Sequence, residues 1–343
     1  MSVAGDYTAR WREALAGQSV AWSDYHLGVW VVRLHHHSPE LAARFLPAFA
    51  HRALQHGHGL PIQLHIHLTD GSTSLPLPAL PWGTGAELVN GVAPGYADDA
   101  AVVVFDSWSR LLHVVDFAQG TAFFHAPVAG QIPAWEEAAP LRVILNLWAL
   151  AHEGHLLHGA ALGDERGALL LAGPGGSGKS TCALQWLSQG GGYLSDDYCL
   201  VAAGASVQVH SLFCSAKVVP EDRGKYLHHG LRFSSFREDL GEKPAAILHP
   251  AFASQLIATA PLRAIVLPRL TGRSGLPELT RCEGGLAWRA LALPTFSQLA
   301  GGGRKSMEFL SRFVKRLPCY QLDLGGPPEA VPVVLRQFLD ELI

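Results

Sequence analysis

Eight consecutive residues, Gly173-Pro174-Gly175-Gly176-Ser177-Gly178-Lys179-Ser180, fit the pattern G-x-x-x-x-G-K-[ST]. The apolar stretch Ala168–Ala172 precedes them and a helical segment, Thr181–Gln189, follows, so the pattern sits on a strand, a loop and a helix. Glycines at these positions let successive backbone N–H groups turn inward and cradle phosphate oxygens. The start of the helix adds partial positive charge at the same point. Lys179 is placed to reach the β- and γ-phosphates, and the Ser180 hydroxyl to ligate Mg²⁺. Nucleotide binding is therefore expected of Gly173, Gly175, Gly176, Ser177, Gly178, Lys179, Ser180 and Thr181. An ordinary Gly-rich turn has no need of Lys-Ser at fixed positions after four glycines.

The chemistry at the γ-phosphate needs acids and bases beside the loop. The loop helix ends in Gly190-Gly191-Gly192, suited to a left-handed cap, and the chain runs through Tyr193-Leu194-Ser195 into Asp196-Asp197. Strands on either side of a crossover helix run the same way, which brings the acidic pair out next to the phosphate loop. One carboxylate can then take Mg²⁺ and the other accept a proton from an attacking hydroxyl. Neighbouring side chains at a strand end point in opposite directions. The working assignment makes Asp196 the general base and Asp197 the metal contact with Ser180, and the two roles can be exchanged. Upstream, Gly159–Leu162 and Ala168–Ala172 form a hairpin through Asp164-Glu165-Arg166-Gly167, which sets His158 at the hairpin's open end, where the loop begins.

His158-Gly159, the P-loop, and Asp196-Asp197 after a Gly-capped helix together resemble the catalytic domain of bacterial HPr serine kinase/phosphorylase. The stretch is more similar still to the HPr-kinase-related proteins, which include serine kinases that tailor lasso-peptide precursors. The resemblance is specific over about residues 155–200. It implies a P-loop kinase fold similar to that of phosphoenolpyruvate carboxykinase, with ATP, Mg²⁺ and phosphate transfer to a serine hydroxyl. Carried over, Lys179 and Ser180 are the P-loop pair, Asp196 and Asp197 supply base and metal contact, and His158 is the active-site histidine. The bifunctional HPr enzymes have a Glu-Arg-Gly signature after the acidic pair; here the stretch reads Ser211-Leu212-Phe213-Cys214-Ser215-Ala216-Lys217. A serine kinase with another acceptor, a peptide or small protein, is the expectation, possession of a homo-oligomeric state being carried over with the family. A small-molecule kinase and a nucleotide-sensing NTPase module are the other two readings.

These residues need elements to position them. From residue 141 onward strands alternate with helices: a helix over Leu141–Glu153, strands at Ala168–Ala172, Tyr193–Ser195 and Ala264–Leu267, a helix over Lys305–Leu317, a strand Tyr320–Leu324 and a helix from Pro328 to Ile343. That order predicts an α/β domain over 141–343 with a substantially parallel sheet. Residues 1–140 read instead as a smaller β-rich region and acceptor platform, with a helix over Ser38–Gln55 and strands at Pro61–Leu68, Ala101–Asp106, Leu111–Phe117 and Thr121–His125. Ala126–Pro140 is the linker candidate.

Hydrophobic residues make up 48% of the 343-residue chain and charged residues 16%, which excludes a disordered protein. The net charge of −3 argues against nucleic acid or an anionic membrane as partner. Apolar runs fall well short of the ~18 residues of a membrane span, and the charged N-terminus lacks a signal h-region, so a cytoplasmic protein is expected. Five widely spaced cysteines form no CxxC pair. His35-His36-His37, His56, His58, His65 and His67 lack accompanying ligands, and His152-Glu153-Gly154-His155 is one residue short of the zinc motif. Gly301–Ser306 could meet an anion at a helix start. Lys217 and Lys243 are candidates for a γ-phosphate clamp, though each alone reads as a surface lysine. Trp11, Trp22, Trp30, Trp82 and Trp108 read as core.

Overall fold

A computed structural model describes residues 3–77, 91–93, 95–219, 224, 230–234 and 236–343; Trp82 lies outside them. Helix α1 (Val3–Leu15) leads into a six-stranded sheet made of β1 (Trp22–Leu27), β2 (Trp30–His36), β3 (Leu64–Asp70), β4 (Ala101–Asp106), β5 (Leu111–Asp116) and β6 (Thr121–Ala126), in the order β1-β2-β3-β6-β5-β4. Helix α2 (Pro39–Phe49) joins the parallel strands β2 and β3. It starts where Ser38 Oγ accepts the Leu41 N–H at 3.2 Å, with Pro39 in the first turn. Alternation along β2 and β3 sends Leu34, Leu64 and Ile66 into the core, and His35, His65 and His67 to the opposite face. There His35 Nε2 meets His65 Nδ1 at 3.0 Å and His37 Nε2 meets His67 Nδ1 at 3.0 Å.

The linker expected at 126–140 is packed structure. Helix α3 (Ala134–Ala138) buries Glu136, which is ion-paired to the equally buried Arg142 at the start of α4 (Arg142–Ala151). Polar residues there are held by partners inside the protein, which the Pro- and Gly-bearing composition did not reveal. Trp108 departs from the core expectation in the other direction, standing 86% exposed at the turn between β4 and β5.

The second half continues with β7 (Gly154–His158), β8 (Ala160–Asp164), β9 (Gly167–Leu171), α5 (Lys179–Ser188), β10 (Gly192–Ser195), β11 (Tyr198–Ala203), β12 (Val207–His210) and the short strands β13 (Ser215–Lys217), β14 (Arg232–Phe233) and β15 (Ala245–Ile247). It closes with β16 (Thr259–Leu270), β17 (Glu278–Cys282), α6 (Gly284–Gln298), α7 (Gly303–Phe313), β18 (Cys319–Leu324) and α8 (Val331–Leu342). The fold is mixed α/β. The parallel part of the large sheet is narrower than expected: β16 runs parallel to β9 on one side and to β18 on the other. Around that core the pairings β8–β9, β8–β10, β7–β11, β11–β12 and β17–β18 are antiparallel. Short loops that return the chain as hairpins, such as Glu165-Arg166, account for the difference. Because β10 runs against β8 and β8 against β9, β10 points the same way as β9. No helix among the described residues is long and apolar enough to cross a membrane.

One apolar cluster crosses the two halves. Leu34, Phe45, Phe49 and Phe124 share it with Ile144, Trp148, Leu200 and Phe213, and the rings of Phe49 and Phe213 lie 5.5 Å apart. Phe213→Ala, at a fully buried site, is expected to cost about 3–5 kcal/mol. Denaturant unfolding followed by circular dichroism should show that loss in a single transition. A variant in which only one half melts early would contradict a shared core.

Candidate active site

Four strand ends meet on one edge of the large sheet. β9 feeds the loop Gly173–Gly178, β10 ends before Asp196-Asp197, β16 ends at Leu270, and β18 passes from Leu324 into Gly325-Gly326. A cavity of about 630 Å³ opens there, and all four ends contribute to its lining. This is the edge at which open α/β sheets bind ligands, outside the carboxyl ends of their parallel strands.

The loop has the form a phosphate cradle requires. Gly176 and Gly178 have φ of 80° and 101°, a region glycine enters without a Cβ penalty. A Cβ on Gly178 would stand 2.5 Å from Leu324 Cδ1, whereas Gly175 and Gly176 have open space where a Cβ would be. The backbone at 175–176 can therefore be approached closely. Ser177 Oγ is enclosed and has no hydrogen-bond partner among the described residues. Lys179 Nζ lies across the loop, donating to the carbonyls of Gly173 at 2.7 Å and Pro174 at 3.0 Å. Burial lowers its pKa, against the opposing pull of Asp196 and Asp197. These residues fit a Mg²⁺-nucleotide: backbone N–H groups and Lys179 for the phosphates, and the Ser180 hydroxyl with a carboxylate for the metal.

Asp196 and Asp197 form the turn between β10 and β11 and are 2% and 9% exposed. Asp197 holds a left-handed backbone, φ 73°, a conformation that costs a non-glycine residue on the order of 1–3 kcal/mol and concentrates at functional sites. Its carbonyl accepts the Gly159 N–H at 3.0 Å, which ties the turn to the β7–β8 junction. The turn aims the two carboxylates apart. Ser180 Oγ donates to Asp196 Oδ1 at 2.9 Å, and the Lys217 N–H donates to Asp196 Oδ2 at 3.1 Å. Asp197 Oδ2 lies 2.6 Å from Lys217 Nζ, and His158 Nδ1 is 3.4 Å from Asp197 Oδ1.

This geometry is the reverse of the working assignment. The sequence reading pairs Asp197 with Ser180 at the metal; the carboxylate beside Ser180 is that of Asp196. Asp197 is the one set between a lysine and a histidine. The reason is the left-handed turn, which local sequence does not announce.

Burial, with Asp197 adjacent, raises the Asp196 pKa to about 6. Burial pushes Asp197 upward as well, but Lys217 above all, with His158 when protonated and Arg142, holds that carboxyl below its ordinary value. His158 is lowered to about 4, chiefly by burial, with Lys179 and Lys217 adding to the effect against Asp197. It is a neutral imidazole at pH 7.

Lys217 is the residue that sequence reasoning undervalued. Its strand is three residues long and takes its register from β15, some thirty positions on. The first 140 residues hold that strand in place: Cys214 N–H donates to Ala48 O at 2.8 Å, and Ser215 Oγ donates to Ala138 O. Trp135, from the expected linker, lines the cavity with Gln298, Glu242 and Lys243. Lys243 is a clamp candidate from the sequence; no local pattern marks the other three. The Gly301–Ser306 segment opens α7 with Arg304 paired to Glu308, away from the described cavity lining. Among the described residues no group of three or more His, Cys, Asp or Glu is arranged to hold a metal ion.

No family model matches the chain, and no curated protein matches it. Among solved structures it is similar to the HPr(Ser) kinase/phosphatase from Coxiella burnetii, with 8% identity, 53% of this chain and 92% of that chain covered, and a TM-score of 0.31. A likeness that slight carries no argument about activity.

The raised Asp196 pKa has a thermodynamic consequence. A folded-state value near 6 against an ordinary 3.8 means that the stabilisation from protonating this carboxyl is complete below about 3.8 and lost as pH rises through about 6. Asn carries no charge to bury. Without added Mg²⁺, the stability of Asp196→Asn relative to wild type should therefore improve on the order of 1–3 kcal/mol between pH 4 and pH 7.5. Parallel pH profiles in denaturant titrations would show the pKa to be ordinary.

Proposed function

We propose that the protein is an ATP-dependent kinase that transfers the γ-phosphate to a serine hydroxyl of a peptide or small protein, a natural-product precursor peptide being one such acceptor. The observation that carries this reading is the division of the acidic pair: one buried carboxylate beside the P-loop serine, the other between Lys217 and His158. A site that only senses nucleotide needs the first arrangement and not the second, which supplies a base for an attacking hydroxyl. The likeness of His158-Gly159, Gly173–Ser180 and Asp196-Asp197 to the HPr-kinase-related proteins adds serine as the acceptor.

In this reading Gly173–Ser177 and Lys179 hold the phosphates, while Ser180 and Asp196 hold Mg²⁺. The metal, when bound, neutralises charge on the β- and γ-phosphate oxygens. Asp197, kept ionised by its cations, accepts the proton of the serine hydroxyl. The serine oxygen then bonds to the γ-phosphorus as the bond to the β–γ bridging oxygen breaks, and ADP leaves with its new charge against Lys179. Lys217 orients Asp197 and adds positive charge where the transferred group passes. Neutral His158 restrains the other carboxylate oxygen.

The test is transfer of label from γ-labelled ATP, with Mg²⁺, to serine peptides and to small hydroxyl compounds. Asp197→Asn should leave Mg-ATP affinity within about twofold of wild type and reduce transfer on the order of 10²-fold or more. Asp196→Asn should instead raise the Mg²⁺ concentration needed. Lys179→Ala should lose about 1.5–3 kcal/mol of nucleotide binding by calorimetry. Normal transfer by Asp197→Asn would refute the base; label only on small compounds would move the reading to a small-molecule kinase, and hydrolysis without any acceptor to an NTPase module.

A further inference from the structure

Two of the five cysteines face each other across a strand pair at the edge of the large sheet. β17 pairs antiparallel with β18, and the register places Cys282 directly opposite Cys319. Side chains at directly opposite positions leave the sheet on the same face. Both thiols do so here, since Cys319 belongs to the cluster of Leu310, Phe313 and Val314, and Cys282 packs against that same cluster. Opposite residues in an antiparallel pair have Cα atoms about 4.5 or 5.5 Å apart. Either spacing falls within the roughly 4.4–6.8 Å that a disulfide spans. Cys182 and Cys199 are buried on α5 and β11, and Cys214 is buried just before β13.

The pair also differs internally in a useful way. Cys282 is half-buried, while Cys319, directly opposite it, is 4% exposed. The strand is joined to a segment that packs behind the cavity wall. The segment 271–277 between β16 and β17 lies over Gly325-Gly326: a Cβ on Gly325 would stand 3.0 Å from Arg273 O, and one on Gly326 2.3 Å from Gly275 O. Gly325 and Gly326 line the cavity.

We propose that Cys282 and Cys319 are a redox modification site, forming a reversible disulfide by exchange with a low-molecular-weight disulfide of the glutathione type and stapling the edge strand β17 to β18. The Cys282 thiolate attacks one sulfur of the small disulfide, whose S–S bond breaks and releases one small thiolate. The Cys319 thiolate then attacks Cys282 in the mixed disulfide and the second small thiolate leaves. The two protons lost by the protein thiols end on the two released thiols; the protein pair is oxidised by two electrons and the small disulfide is reduced by two. Burial pushes both thiols up, Cys319 to about 11, so the exchange is slow at neutral pH and quickens as pH rises. The covalent step does not depend on the proposed kinase activity.

The full-length protein is incubated with oxidised glutathione at pH 8, alkylated, digested and mapped by mass spectrometry. The expected product is a Cys282 peptide joined to a Cys319 peptide, two hydrogens lighter than the sum of its parts and separated again by dithiothreitol. Cys319→Ala should stop at a stable glutathione adduct on Cys282, and Cys282→Ser should take up no glutathione at Cys319. In the oxidised protein, amide hydrogen exchange over Leu279–Cys282 should slow about tenfold or more relative to the reduced protein. Accumulation of the Cys282 adduct in the wild type, or links confined to other cysteines, would overturn the site; unchanged exchange would overturn the staple.

Discussion

Two carboxylates adjacent in the chain and both out of water repel each other and lose hydration together, so neither stays charged without cations and donors fixed against it. Asp196 and Asp197 meet that constraint from several parts of the fold. Ser180 and the Lys217 N–H satisfy one, and Lys217 Nζ faces the other. Arg142, itself buried and paired with Glu136, lies behind Asp197 with its guanidinium 5.7 Å above the Tyr198 ring. Removing one member of such a buried set leaves a bare charge, which costs more than the pair is worth when whole.

The same constraint explains why the first 140 residues are joined so closely to the rest. A lysine on a three-residue strand is not held by its own strand. β13 is anchored by main-chain and side-chain bonds to Ala48 and Ala138, and Glu136 keeps Arg142 in place. The N-terminal sheet, its core shared with α4 and Phe213, thus positions two of the cations that face the acidic pair. It is part of the site's support, and Trp135 brings it to the cavity wall.

Four non-glycine residues among those described have positive φ, Arg110, Leu141, Glu153 and Asp197, and of these Asp197 lines the cavity. Asp197 holds its left-handed turn because Gly159, Tyr198 and the flanking strands over-determine it, and Gly176 and Gly178 take the positive φ values of the loop without strain. At the cavity the strained residue is an aspartate, whereas the positive φ values of the adjacent loop fall on glycines, which pay no steric penalty.

The sequence alone determined what is local. The glycine-rich loop, its helix, the following Asp-Asp and the upstream His158 are local patterns whose glycines and charges dictate their own geometry, and the structure gathers all of them at one cavity. Helix and strand positions written as runs of apolar residues, such as Ala101–Asp106 and Arg142–Ala151, were legible for the same reason. What only the tertiary structure decided depends on pairings distant in sequence. Which aspartate faces Ser180 follows from one turn at positive φ; Lys217 becomes a partner of Asp197 through a register set by β15; a supposed linker is fixed by a buried ion pair; and Cys282 meets Cys319 through the pairing of an edge strand. Periodicity and motif spacing encode neighbours along the chain, whereas register and burial arise only when remote segments compete for the same hydrogen bonds and the same dry interior.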